Sequence, residues 1–318
     1  MSQRIVVVGS HAPGILIHVK RPPVAGETVI GWGYEEPMDG GKGSLQAIAA
    51  ARLGAHVSFV GRLGRDRLGE QGAQWMRQAG VDLSHLLWSD TASTGAGFII
   101  LDAHGVPAMI TAQGANAELS PADIDAAEEL IAGARVLLTQ FEIPVASALY
   151  AATVARRRGV IAIVNPAPAP TGGSHDLSVA DILTPNETEA LALLGRPSEA
   201  PGGDPLALAR NLQSGQHVRS VIVTLGERGV AVAEGEEAYV IAAPKVEVVD
   251  TSGAGDAFNA ALAVALARGA QLRAAVTWAC RVAAFSVTRA GTIAAYPTAE
   301  EVAQYFNCHD VSSQQSEP

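Results

Sequence analysis

Short runs rich in Val, Ile and Leu alternate along this chain with stretches of helical periodicity, and that alternation constrains the fold more than any single motif. Ile5 to Gly9, Val57 to Val60, Val136 to Thr139, Val160 to Val164, Ile182 to Leu183 and Val221 to Thr224 read as strands, with helices over Ser44 to Leu53, Gly69 to Ala79 and Pro144 to Arg157. Parallel strands need crossover connections, and helices supply them. The expected fold is therefore α/β: a three-layer αβα domain whose mainly parallel sheet is covered by helices on both faces.

Two stretches break the rhythm. Ile15 to Val19 with Glu27 to Glu36, and Gly95 to Leu101 with Val106 to Thr111, read as strands without intervening helices, the second pair turning at Asp102-Ala103-His104-Gly105. They form either a small β-sheet lid over the strand ends, where ligands of such folds bind, or mere edge hairpins. The expected large domain covers 1–13, 41–94 and 114–308, and the lid 14–40 and 95–113. Pro166 to Ser174 and Pro197 to Pro205 are loops by their Pro and Gly content, and the polar end, 309–318, is expected to be a disordered tail.

With 318 residues, 48% hydrophobic and 17% charged, the chain can bury a full core. No apolar run approaches the roughly 18 to 20 residues that span a bilayer, and the apolar segment after Met1 is too short for a signal peptide, so a cytoplasmic protein with no membrane partner is expected. Cys280 and Cys308 give neither a disulfide framework nor a metal-ligand spacing, and no His-x-x-x-His pattern suggests zinc. A net charge of -10 argues against nucleic acid as a partner, though not against a nucleotide held by local donors and a divalent metal.

The chemistry concentrates at helix starts. In Asp250-Thr251-Ser252-Gly253-Ala254-Gly255-Asp256 two carboxylates flank a glycine turn that opens an apolar helix. The first N–H groups of a helix lack internal partners and its N-terminus carries partial positive charge, so an anion fits there, with Asp256 placed to take a proton from an attacking hydroxyl. Helix capping alone is the rival reading. A second turn, Gly40-Gly41-Lys42-Gly43-Ser44-Leu45-Gln46, is neither a Walker loop, since Gly43 follows Lys42, nor a dinucleotide fingerprint. In Thr184-Pro185-Asn186-Glu187-Thr188-Glu189, Thr184 is expected to cap a helix with Pro185 at its first position and Glu187 completing a capping box. Asn186 and Glu189 are then left over on one face, where they could hold hydrated Mg²⁺.

Five segments in order, Gly40-Gly41-Lys42-Gly43, Gly61 to Gly69, Asn186 to Glu189, Val223 to Gly229 and Asp250 to Asp256, give the chain a resemblance to the ribokinase-like family of carbohydrate (sugar) and nucleoside kinases over most of its length. The resemblance implies Asp256 as catalytic base and the backbone of Gly253, Ala254 and Gly255 as an anion hole for the transferred phosphoryl group. It implies ATP and Mg²⁺ as cofactors, with Asn186 and Glu189 near the metal and phosphates, Thr224, Gly226 and Gly229 in the nucleotide loop, and Cys280 near adenine. Asp250, Ser252, Ser286, Arg289 and Gly291 match positions that bind a monovalent cation, which suggests K⁺. On the acceptor side it implies Gly41, Lys42, Leu45, Glu142 and Asp256, with His11 and Gly14 nearby.

The chain departs from ribokinase itself where polar sugar contacts are expected, since Ala12, Gly14 and Leu45 replace an Asn, an Asp and an Asn. A site stripped of such partners discriminates poorly in favour of a hydroxylated ligand. The expectation is an ATP-dependent kinase acting on a hydroxyl, a primary one, of a small sugar or sugar-like acceptor other than ribose. A nucleoside kinase and a non-catalytic nucleotide-binding regulator are the alternatives. An exposed edge on the lid sheet would favour a homodimer.

Overall fold

The computed structural model describes residues 4–104, 107–170, 175–197 and 203–313. Its strands are β1 (Arg4–Val8), β2 (Gly14–His18), β3 (Gly33–Met38), β4 (His56–Gly64), β5 (Leu86–Ser89), β6 (Ala96–Leu101), β7 (Pro107–Ala112), β8 (Val136–Gln140), β9 (Ile161–Asn165), β10 (Ile182–Leu183), β11 (Ser220–Thr224), β12 (Val230–Glu234) and β13 (Glu237–Ile241). The α-helices are α1 (Lys42–Arg52), α2 (Arg67–Gln78), α3 (Pro121–Ala126), α4 (Glu128–Ala132), α5 (Val145–Arg157), α6 (Glu187–Leu193), α7 (Pro205–Gln216), α8 (Ala254–Ala267), α9 (Leu272–Ser286) and α10 (Ala299–Ser313).

Nine strands form one sheet in the order β13-β12-β11-β10-β9-β8-β1-β4-β5, parallel from β11 to β5. Its central strands are buried on both faces, which is why β1 and β8 read as nearly unbroken apolar runs. Alternation along β1 divides the core. Ile5 and Val7 pack with residues of α1, α8 and α9, while Val6 and Val8 pack with residues of α5 and α7 on the other side. The strands β12 and β13 extend the sheet antiparallel beyond β11 and were not anticipated from sequence.

The two rhythm-breaking stretches form a second sheet, β3-β2-β6-β7, rather than hairpins on the edge of the first. Its strand β2 pairs parallel with β6, so the stretches depend on each other. β3 begins at Gly33, later than the expected Glu27, and Gly105 of the turn before β7 lies outside the described residues. At the other end α10 continues through Ser313, five residues into the expected tail, and 314–318 lie outside the described residues. Parts of both Pro- and Gly-rich loops, 171–174 and 198–202, also lie outside. Among the described residues no helix is long and apolar enough to cross a membrane.

Candidate active site

The carboxyl ends of β1, β8, β9 and β10 converge on the start of α8, the position at which open α/β sheets gather ligand-binding groups. Gly253 caps α8 at φ 72°, and a Cβ there would lie 2.5 Å from the Tyr296 hydroxyl, so two constraints demand glycine. Tyr296 is fully buried and its Oη donates to the Gly253 carbonyl at 3.3 Å, which holds the turn from below. The Ala254 N–H is engaged by the Thr251 carbonyl at 3.3 Å, whereas among the described residues nothing accepts from the backbone N–H of Gly255 or Asp256. No atom lies within 4 Å of where a Gly255 Cβ would stand. Open donors beside open space fit a phosphate group.

Asp256 is buried at 7% exposure, and its Oδ1 accepts from Gln46 Nε2 at 2.8 Å. Burial pushes its pKa above the ordinary carboxylate range, opposed by Lys42 and the Gln46 hydrogen bond and assisted by Glu142. Burial also opposes charge on the Lys42 ammonium, but the facing carboxylates of Asp256, Glu142 and Glu189 outweigh it and raise the Lys42 pKa. Burial raises the Glu189 pKa as well. One cation and three carboxylates thus share a single cleft.

The glycine turn before α1 forms the opposite wall. Gly41 has φ 87°, and a Cβ there would lie 2.4 Å from the Ala12 backbone nitrogen, so the turn lies directly against the 9–12 loop. Glu142 Oε2 accepts from Ser10 Oγ at 2.6 Å and from the Lys42 N–H at 2.8 Å, joining the ends of β1 and β8 to that turn. A buried amide network runs beneath. Gln140 Nε2 donates to Gln46 Oε1, Gln46 Nε2 reaches Asn165 Oδ1 at 3.3 Å, and Asn165 Nδ2 donates to the Thr184 carbonyl at 2.9 Å. Thr184 Oγ1 donates to Asn259 Oδ1 at 2.6 Å, and Asn259 Nδ2 returns to the Gly255 carbonyl at 2.9 Å. Sequence reasoning gave Gln46, Asn165 and Asn259 no role; polar residues at strand ends and one turn inside glycine-led helices were the available signal.

Several expectations change in detail. The cap of α6 is Asn186, not Thr184: Asn186 Oδ1 accepts from the Glu189 N–H at 2.8 Å, and Glu189 Oε2 accepts from the Asn186 N–H at 2.8 Å. The pair left over for metal therefore makes the capping box, while Glu187 turns outward to Arg228. Glu189 remains within the field of Lys42, so its carboxylate serves the helix start and the cleft together.

His11 is corrected as an acceptor ligand. Its ring is buried toward α2, with Nδ1 2.9 Å from Ser44 Oγ, and a Cβ on Gly72 would lie 2.1 Å from Nε2. Leu45 belongs to the apolar core, and Gly14 opens β2 at the root of the small sheet. Cys280 is likewise a core residue, its thiol pushed up to about 12 by burial. Gly226 at φ 61° has open space beside it, whereas Gly229 at φ 92° is required because a Cβ would lie 2.1 Å from the Ile241 carbonyl.

Thr224 closes β11 beside Asn186, its N–H donating to the Pro185 carbonyl at 2.9 Å. Asp250 accepts from the Ser252 and Gly291 N–H groups, each at 2.9 Å, and so ties those loops together. Of the other positions matched to a monovalent ion, Ser286 turns its Oγ to the Ala283 carbonyl and Arg289 its side chain to Glu301, which leaves backbone carbonyls as the available ligands there.

Comparison with known proteins gives the family. Residues 4–299 match the model of the pfkB family carbohydrate kinases. The chain is 34% identical to the ribokinase of Haemophilus influenzae, with 96% of this chain and 99% of that one covered. It is 30% identical to the deoxyribokinase of Salmonella typhimurium, with 96% and 99% covered. The structure of Arabidopsis thaliana ribokinase complexed with ribose and ATP superposes with a TM-score of 0.83 at 31% identity, covering 96% of this chain and 98% of that chain. With relatives named ribokinase as well as deoxyribokinase, the expectation that ribose is not the acceptor has no support and is withdrawn. The chain belongs to the pfkB family of carbohydrate kinases and is a ribokinase-like phosphotransferase that uses an alcohol group as acceptor.

Proposed function

We propose that this enzyme transfers the γ-phosphoryl group of Mg·ATP to a hydroxyl of a small sugar, with Asp256 as general base and the 253–256 turn as anion hole. The observation that carries this reading is the coincidence at one helix start of a buried, oriented carboxylate with unpartnered backbone N–H groups and open space beside Gly255. Bound Mg·ATP supplies the phosphoryl donor and much of the charge neutralisation. Asp256 takes the proton of the acceptor hydroxyl as it attacks. The N–H groups of Gly255 and Asp256 stabilise negative charge on the group in transit, and Lys42 balances the cluster of carboxylates. Glu142 keeps Oε1 for the acceptor, because Ser10 and Lys42 both bind its Oε2.

Glu189 would be the carboxylate to meet the water shell of the Mg²⁺ that accompanies ATP, a metal that takes few protein ligands. Since Asp250 is committed to two backbone N–H groups, a K⁺ ion beside this turn would be held mainly by backbone carbonyls of the 250–252 and 286–291 loops. The small sheet stands as a lid over the acceptor.

The test is product formation from ATP over ribose, 2-deoxyribose, other pentoses, hexoses, polyols and nucleosides, with and without K⁺, for wild type and Asp256→Asn. A general base contributes typically about 10²- to 10⁴-fold, so the variant should lose at least 10²-fold in kcat. Full activity in Asp256→Asn would refute the assignment, and turnover on nucleosides alone would move the acceptor class.

A further inference from the structure

This inference rests on the reading of Asp256 as general base. We infer that Gln46 is a positioning residue for that base, oriented by Asn165 and braced by Gln140 so that its amide N–H₂ faces the carboxylate and occupies Oδ1, leaving Oδ2 for the acceptor hydroxyl.

The orientation of a Gln amide follows from its partners, and here Asn165, itself fixed by a backbone carbonyl, decides it. Gln140 follows from that choice, its Nε2 donating to the Oε1 that Gln46 presents on its other side. Asn165 is oriented by a backbone carbonyl, which can only accept. Its Nδ2 is held by Thr184 at 2.9 Å, so its Oδ1 faces Gln46 and requires Nε2 there. With both ends settled, the Gln46 N–H₂ lies 2.8 Å from Asp256 Oδ1. Among the described residues Oδ2 has no partner.

Gln46 and Gln140 are fully buried and Asn165 nearly so, and buried amides are costly unless bonded. An apolar side chain would fill the same space without that cost, so packing does not explain three amides in series. The backbone makes room for them as well, since a Cβ on Gly9 would lie 2.3 Å from Gln140 Oε1. A donor aimed at a buried carboxylate favours its ionised form, the form a base needs, against the effect of burial.

The test compares Gln46→Met, Gln140→Met and Asp256→Asn with wild type in the pH dependence of kcat/KM for the best acceptor of the panel, together with KM for ATP. Loss of a hydrogen bond to a charged group should move the acid limb of Gln46→Met up by about one to two pH units. Activity should converge on wild type above the moved limb, with KM for ATP unchanged. Gln140→Met, which frees the Gln46 amide to turn, should shift the limb less and in the same direction.

A uniform loss at every pH with the limb unmoved would overturn the inference while leaving the base in place, provided Asp256→Asn is inactive. Wild-type activity in Asp256→Asn would overturn the base and this inference together. Should Gln46→Met fail to fold, Gln140→Met decides: a raised limb supports the positioning role and an unmoved limb refutes it.

Discussion

Two glycines separated by one residue, Gly253 and Gly255, should respond oppositely to the same methyl group in stability while both lose activity. Gly253 has φ 72°, and forcing an L-residue into the left-handed region costs roughly 1–2 kcal/mol. The new Cβ would also lie 2.5 Å from Tyr296 Oη, on a ring that is fully buried and cannot withdraw, and overpacking of that kind costs typically about 1–3 kcal/mol. Gly253→Ala should therefore lose about 2–5 kcal/mol. Unfolding entropy of about 2.1 cal/mol/K per residue over the 318-residue chain converts each kcal/mol to about 1.5 °C, so Tm should fall by about 3–7 °C.

Gly255 lies inside α8 without a positive φ, and nothing stands within 4 Å of its Cβ position. There the methyl is free of strain and improves helix propensity by up to about 1 kcal/mol, so Tm should stay level or rise slightly. The same methyl occupies the space a phosphate needs, and kcat should fall at least about 10²-fold, the scale of losing one oxyanion donor. Differential scanning calorimetry with steady-state kinetics on both variants is the assay. Full activity in Gly255→Ala would remove the anion hole from this turn, and an unchanged Tm in Gly253→Ala would refute the strain argument.

Two further predictions concern other parts of the molecule. Burial lowers the His11 pKa from 6.5 to about 4, so the folded state resists protonation; the associated stability is complete above the unfolded pKa and lost as pH falls from 6.5 toward 4. At pH 5 that amounts to about 2 kcal/mol, and urea denaturation of His11→Leu should show a correspondingly shallower fall between pH 7 and pH 5 than wild type; equal slopes would place the titration elsewhere. The second concerns the small sheet, which exposes Tyr34, Met109 and Ile110, with Ile30 and Trp32 exposed in the segment leading into β3. Met109 and Ile110 are neighbours in β7 and point to opposite faces, so one apolar face can meet the cleft while the other is free for a second copy. Sedimentation equilibrium should show a dimer that Tyr34→Asp with Ile110→Asp weakens, and a monomeric wild type would refute it.

Much of this site was legible because its parts are local. A glycine at φ 72° before an apolar helix, or at φ 87° before an Ala-rich one, leaves its mark within a few residues of sequence. The parallel sheet was legible for a similar reason, since strands buried on both faces read as continuous apolar runs. What escaped were choices made by distant partners. Thr184-Pro185 has the form of a helix start, yet Thr184 ends the strand: its N–H donates to the Val164 carbonyl and its hydroxyl is drawn inward to Asn259. With that side chain taken, Asn186 becomes the cap two residues later, and the local rule fails through a contact 75 residues away.

The Gln46–Asp256 bond joins residues 210 apart, and no periodicity in either helix reports it. His11 shows the same limit from the other side. A histidine next to a predicted sugar-side loop is a reasonable ligand until α2 supplies Gly72, whose missing side chain leaves the space into which the ring turns. The proposed base, Asp256, is visible in the sequence because it sits on the glycine turn that opens α8, whereas the amides that reach it belong to other strands and helices. For this reason the variants at Gln46 and Gln140 test the three-dimensional argument more severely than any substitution within the Asp250 to Asp256 segment.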